Sequence, residues 1–169
     1  MMKTKTQKMV FTALLTALTC VTTMAVKIPS PLNGYLNLGD AAVLLCAFLL
    51  PPTYGCFAAG VGSALADLFS GYALYAPATL VIKAGMTLIV FLILRLFASR
   101  RDAVWARGLA ALAAEIWMVL GYYLFEGFLY GFGASLVNIP ANAVQGAVGA
   151  VLGVLLSHLV DKISPAQKN

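Results

Sequence analysis

Of the 169 residues, 62% are hydrophobic and 10% are charged, with a net charge of +5 and a mean hydropathy of +0.92. A soluble domain carries about a quarter charged residues, so this composition excludes a cytosolic enzyme, a nucleic-acid-binding domain and a disordered chain. At about 20 apolar residues per spanning helix there is room for about six spans and for no soluble domain of any size.

Apolar segments run over 9–26, 38–50, 54–70, 77–97, 107–130 and 138–160, punctuated by Pro29, Pro51, Pro52, Pro77 and Pro140. They predict an all-α integral membrane protein with six transmembrane helices in one membrane domain, residues 1–169. The first segment follows Lys3, Lys5 and Lys8 as a signal peptide would. Its apolar stretch continues towards Val26 without a small-residue cleavage site, so it is read as the first span.

On a six-span ladder Lys3, Lys5, Lys8, Arg95, Arg100, Arg101, Arg107, Lys162 and Lys168 share one side. Those are nine of the eleven basic residues; Lys27 falls on the other side and Lys83 within a span. Loop Lys and Arg mark the cytoplasmic side, so both termini are expected there. The second segment covers only about 20 Å at 1.5 Å per residue, short of the roughly 30 Å hydrocarbon core. With Pro51 and Pro52 at its inner end, its outer end with Asn37 and Asp40 should stop below the outer surface. Irregular backbone at that depth is tolerated only where it lines a cavity in the protein.

Ionisable residues within spans are costly and mark candidate sites. They are Asp40, Asp67, Lys83, Glu115 and Glu126. All but Glu115 fall at the outer level, where Asn138 and Asn142 join them one helical turn apart and Gln145 extends the stripe inward. Tyr35, Tyr72 and Tyr75 come from neighbouring loops, and the inner half reads as apolar. Aromatic faces with a few amides, carboxylates and a lysine suit a small heteroaromatic ligand. A structural ion pair, with Asp40 or Asp67 neutralising Lys83, fits the same residues. Glu115, nearer mid-membrane, is either pocket floor or a packing partner. Tyr122, Tyr123, Phe125, Phe128, Tyr130 and Phe132 read as an interfacial aromatic belt.

Small residues recur every fourth position at Ala13 and Ala17, at Ala58, Gly62 and Ala66, at Ala106, Ala110 and Ala114, and at Gly149 and Gly153, a pattern that lets helices approach closely. Cys20, Cys46 and Cys56 lack the spacing of a disulfide or zinc site. The single His158 lies far from every outer acid, and neither a nucleophile elbow nor a zinc-protease motif occurs. A phosphate-binding loop is also missing. The chain is therefore expected to be no enzyme, to use no metal or cofactor, and to rely on other chains for ATP hydrolysis.

Three runs carry a family resemblance: Gly34-Tyr35-Leu36-Asn37-Leu38-Gly39-Asp40, then Gly62-Ser63-Ala64-Leu65-Ala66-Asp67-Leu68 with Gly71-Tyr72, then Tyr75-Ala76-Pro77-Ala78-Thr79 with Ile82-Lys83. Over residues 8–160 the chain resembles the substrate-binding S component of an energy-coupling factor (ECF) vitamin transporter, in the branch for hydroxymethylpyrimidine, pyridoxine-type and riboflavin-related substrates. The resemblance implies a six-helix protein of a bacterial-type cytoplasmic membrane that captures a vitamin near the outer face under a lid formed by the loop after the first helix. It also implies partners: a transmembrane coupling protein, docked through Ala13 and Ala17, and two cytoplasmic ATPases. Carried over position by position, the expected substrate site is Asn37, Asp40, Asp67, Tyr72, Tyr75, Lys83, Asn138 and Asn142. Pro51-Pro52 departs from the glycine-proline pair common in the family. The expected function is high-affinity capture of a small heteroaromatic vitamin or precursor, hydroxymethylpyrimidine or a vitamin B6 form. The rival readings are a structural or regulatory membrane subunit and a small ion-coupled carrier.

Overall fold

The computed structural model describes residues 4–30, 32 and 34–163; Lys3 and Lys168 of the expected inner charge cluster lie outside them. The helices are α1 (Lys5–Ala25), α2 (Gly39–Leu49), α3 (Pro52–Phe69), α4 (Ala76–Leu96), α5 (Val104–Tyr130), the single turn α6 (Phe132–Ser135) and α7 (Ile139–Ile163). An antiparallel ribbon of two-residue strands, β1 (Ile28–Pro29) and β2 (Tyr35–Leu36), folds the loop between α1 and α2 back on itself. The all-helical expectation holds apart from this ribbon.

Local chemistry sets the ends. Thr4 caps α1 in a capping box with Gln7, each side chain satisfying an amide that the first turn leaves open. Thr12, Thr16, Thr19, Thr22 and Thr23 turn their hydroxyls onto the carbonyls four residues back. A hydroxyl satisfied within its own helix needs no water. Leu50 is extended, as a residue before proline must be, and Pro52 occupies the first turn of α3, where its missing N–H costs nothing. Gly131, with φ +91°, ends α5 in backbone that a larger residue would adopt only under strain.

Packing is inverted relative to a soluble protein. Leu14, Val21, Leu88, Leu120, Val151 and Leu155 are exposed, whereas Ala58, Ala66, Ala106, Ala110 and Ala114 are fully buried. Large apolar side chains outside and small ones at helix contacts suit lipid as the surrounding solvent. Among the described residues four helical segments are long and apolar enough to cross a membrane: α1, α4, α5 and the continuous stretch Phe132–Ile163. The 11-residue α2 is too short, and α3 is diluted by glycine, alanine, small hydroxyls and Asp67. Most of α2 is buried, and it packs against α1, α3, α4 and α7. It is the central rod of the bundle.

The expectation of an apolar inner half needs correction. Arg107 is buried at the end of the bundle opposite Asp40, where it meets Asp161 at 2.8 Å, Asp102 at 3.2 Å and the Ser157 hydroxyl at 2.9 Å. Its guanidinium also lies 5.4 Å from the centre of the Phe48 ring. Because Asp161 and Ser157 lie one turn apart near the C-terminal end of α7, a single guanidinium can serve both.

A close helix contact involves Gly149, whose added Cβ would lie 2.6 Å from the Asp40 Cβ and 3.0 Å from Glu115 Oε1. Gly149→Ala should therefore destabilise the protein by about 1–3 kcal/mol through overpacking, read as a lower unfolding temperature in detergent. Gly108→Ala, which meets nothing within 4 Å, should cause no loss.

Candidate functional site

Polar side chains from five helices and the α1–α2 loop meet at one end of the bundle. Asp40, in the first turn of α2, pairs with Lys83 of α4, and both side chains are at most 3% exposed. The second oxygen of Asp40 accepts a hydrogen bond from the Gln145 amide at 2.6 Å. Gln145 Oε1 in turn accepts from the Asn37 backbone N–H at 2.9 Å, and the Asn37 side chain accepts from Gly39 N–H at 2.9 Å. One continuous network thus joins α4, α2, α7 and the loop. Neither charge of the pair is left with only one contact, as Lys83 also lies 5.5 Å from the centre of the Tyr122 ring.

A second layer ties down the loop. The Tyr35 hydroxyl donates to Asp67 Oδ1 at 2.7 Å. Burial, reinforced by the neighbouring Asp67 charge, pushes the Tyr35 hydroxyl far above its ordinary range, so it remains a neutral donor. The Tyr75 hydroxyl sits 2.6 Å from the Leu32 carbonyl and 3.2 Å from Glu126 Oε1, and its one hydrogen serves the two acceptors in turn. Asn138 donates to the same Glu126 oxygen at 2.8 Å.

Between the layers lies a cavity with about 390 Å³ of empty space, its open mouth included. The loop contributes Ser30, Gly34, Tyr35 and Asn37 to its wall. The helices and their ends contribute Asp67, Tyr75, Thr79, Tyr122, Glu126, Asn142 and Gln145. Thr79 and Tyr122 share a hydrogen bond at 3.0 Å.

Of the eight expected site residues, Asn37, Asp67, Tyr75 and Asn142 line the cavity. Asp40 and Lys83 are not part of its wall; they are paired with each other and joined to it through Gln145. The partner of Lys83 is Asp40, while Asp67 is engaged by Tyr35. Tyr72 lies outside the wall with its ring 4.6 Å from that of Tyr35. Asn138, in the 3-10 turn Leu136–Asn138 before α7, donates to Glu126 and is not part of the cavity wall.

The aromatic-belt reading also divides. Phe128 is 81% exposed, as a belt residue would be, but Tyr122 is buried in the cavity wall and Phe125 packs against Tyr75 at 5.2 Å between ring centres. Glu115 is buried beside Gly146 and Gly149, with neither carboxylate oxygen hydrogen-bonded. Sequence reasoning missed Thr79 and left Tyr122 in the belt. The available signal was the four-residue spacing of Tyr75, Thr79 and Lys83, which puts all three on one face of α4.

A polar cavity within a lipid-facing helical bundle belongs to a multi-pass integral membrane protein that handles a small solute. The profile of the family described as ECF-type riboflavin transporter, S component, matches residues 3–162, and the chain belongs to that family. A Pyrococcus woesei protein, described as an uncharacterized protein in the gap 3′ region, is 40% identical over 144 residues, covering 84% of this chain and 93% of its own. The thiamine precursor transporter HmpT of Lactococcus lactis subsp. cremoris strain MG1363 is 28% identical over 158 residues, covering 92% and 89%. The solved S component of a bacterial ECF transporter has the same fold, with a TM-score of 0.72 at 23% identity over 98% of this chain and all of that one.

Lys83→Met should strand the buried Asp40 charge and destabilise the protein by about 3–5 kcal/mol. Combining it with Asp40→Asn should restore most of that loss, because no charge is then left unpaired. Thermal unfolding of the single and double variants in detergent measures the difference.

Proposed function

We propose that this chain captures a small heteroaromatic vitamin or precursor at the outer membrane face, with hydroxymethylpyrimidine or a vitamin B6 form as the substrate. The observation that carries this reading is the cavity itself. It is narrow, walled by Tyr35, Tyr75 and Tyr122, and edged by Asn37, Asn142, Gln145, Asp67 and Glu126. Rings pack against its aromatic walls, while amides and carboxylates supply both donors and acceptors for ring nitrogens and hydroxymethyl groups. The similarity to a thiamine precursor transporter points the same way.

As an S component the chain works with an ECF module, here proposed to be a transmembrane coupling protein and two cytoplasmic ATPases. The stripe at Ala13 and Ala17 supports a docking role because it is exposed. Both alanines line an open apolar groove with Thr16, Cys20, Val21, Phe57, Leu65 and Phe69 between α1 and α3. The other small-residue stripes are consumed within the bundle. Six crossings of a bacterial-type plasma membrane, with both termini cytoplasmic, complete the proposal.

Calorimetric titration of detergent-purified protein with hydroxymethylpyrimidine, pyridoxine, pyridoxal, thiamine and riboflavin tests the substrate. One of the first three should bind, and Asn142→Ala should weaken it by about tenfold, the cost of a buried hydrogen bond left unmade. Failure of all five to bind folded protein would reject the vitamin site. Ala13→Trp or Ala17→Trp should abolish uptake in cells and leave binding unchanged, since an inserted indole prevents helix approach; equal loss of both would reject docking through α1. C-terminal phosphatase and fluorescent-protein fusions should be inactive and bright, respectively.

A further inference from the structure

The described residues contain six buried side-chain polar atoms without a hydrogen-bond partner: Ser63 Oγ, Asp67 Oδ2, both Glu115 oxygens, Glu126 Oε2 and Asn138 Oδ1. Every one is an oxygen, and five of the six can only accept from an N–H or O–H unless a carboxyl takes up a proton. Asp67 and Glu126, 4% and 2% exposed, both line the cavity. In each, one carboxylate oxygen is held by protein donors, Tyr35 for Asp67 and Asn138 with Tyr75 for Glu126, and the other is unmatched. The protein donors fix the orientation of the two groups and leave one acceptor of each for something else.

Charge follows the same pattern. Asp40, Asp67, Glu115 and Glu126 are all buried at this end of the bundle, and Lys83 is the basic side chain buried with them. Asp40 already neutralises it. Uncompensated carboxylates out of water are strongly unfavourable. A bound solute that brings donors and positive charge removes that cost, whereas one that brings carbonyl oxygens sets acceptor against acceptor.

We propose that Asp67 and Glu126 select a heteroaromatic ring bearing an amino group, held through N–H donors as the protonated ring. This rests on the vitamin-site reading above and narrows it to amine-bearing substrates. An aminopyrimidine protonated at a ring nitrogen presents a ring N–H and the exocyclic amine N–H as donors that share the positive charge, and its hydroxymethyl group supplies a third donor. Whether the proton resides on the ring nitrogen or on the facing carboxyl, the two make one hydrogen bond, and the exocyclic amine is left to donate a second. Replacing the amine with an oxo group keeps the size and shape of the ring but turns that second donor into an acceptor. A site built around unmatched acceptors rejects such an analogue strongly, because its buried oxygens remain unpaired.

The test is calorimetry on the full-length protein in detergent with 4-amino-5-hydroxymethyl-2-methylpyrimidine and its 4-oxo analogue. The amino compound should bind at least about tenfold more tightly. Asp67→Asn or Glu126→Gln, which put an amide N–H where an acceptor stood without changing shape, should shrink that preference. Equal affinities, tighter binding of the oxo compound, a preference unchanged in both variants, or binding of riboflavin or pyridoxine with neither pyrimidine bound would overturn the proposal and leave vitamin capture standing. If folded protein bound none of the pyrimidines, thiamine, B6 forms or riboflavin, the vitamin site itself would fall, and this proposal with it.

Discussion

Inside a bilayer no water is available to complete a polar group, so each charge brought into the bundle has to be satisfied by another part of the chain. The Asp40–Lys83 pair is where this constraint is most severe. Both side chains are almost wholly buried, and Asp40 needs Gln145 to occupy its second oxygen. Gln145 then takes the Asn37 N–H, which fixes the loop entering α2. A requirement at one carboxylate thereby sets the register of α2 against α4 and α7 and the position of the loop over the cavity.

The shortness of α2 has the same origin. A helix of 11 residues begins well inside the bundle, so its first turn, with the positive end of its dipole, can hold Asp40 at depth. Glycines complete the arrangement: Gly149 lets α7 approach Asp40, and Gly153 lets it approach Leu44, contacts that a Cβ at 2.6–2.8 Å would prevent. Close approach around α2 brings Gln145 within reach of its partner.

The two ends of the bundle solve the burial of charge differently. At the Arg107 end, Arg107 is matched by Asp161 and Asp102 and supported by Ser157, so the cluster is complete as it stands. At the cavity end one lysine faces several acids, and oxygens of Asp67, Glu115 and Glu126 remain without donors. A complete cluster clamps helices, and an incomplete one beside a cavity leaves acceptors for a solute. The asymmetry distinguishes the two ends more clearly than charge content alone.

Much of this was legible in the chain itself. Composition requires a membrane protein, because so little charge cannot cover a soluble surface. The prolines at 51 and 52 and the brevity of the second apolar segment announce a short helix beside a cavity, and Asp40, Asp67, Lys83 and Glu126 are conspicuous because charges within apolar runs are costly. What the sequence could not decide was pairing. Asp40 and Asp67 are equivalent candidates for Lys83 by composition, and only the packing of α2 against α4 chooses Asp40 and hands Asp67 to Tyr35. The same holds for Tyr122, whose position among aromatic neighbours suggests an interface until helix rotation turns it inward. It holds also for Asn138, whose amide is taken up by Glu126. Hydropathy and spacing record which groups are expensive to bury, a property of each residue alone; which partner satisfies each one depends on the distances and rotations between helices, and those exist only in the folded bundle.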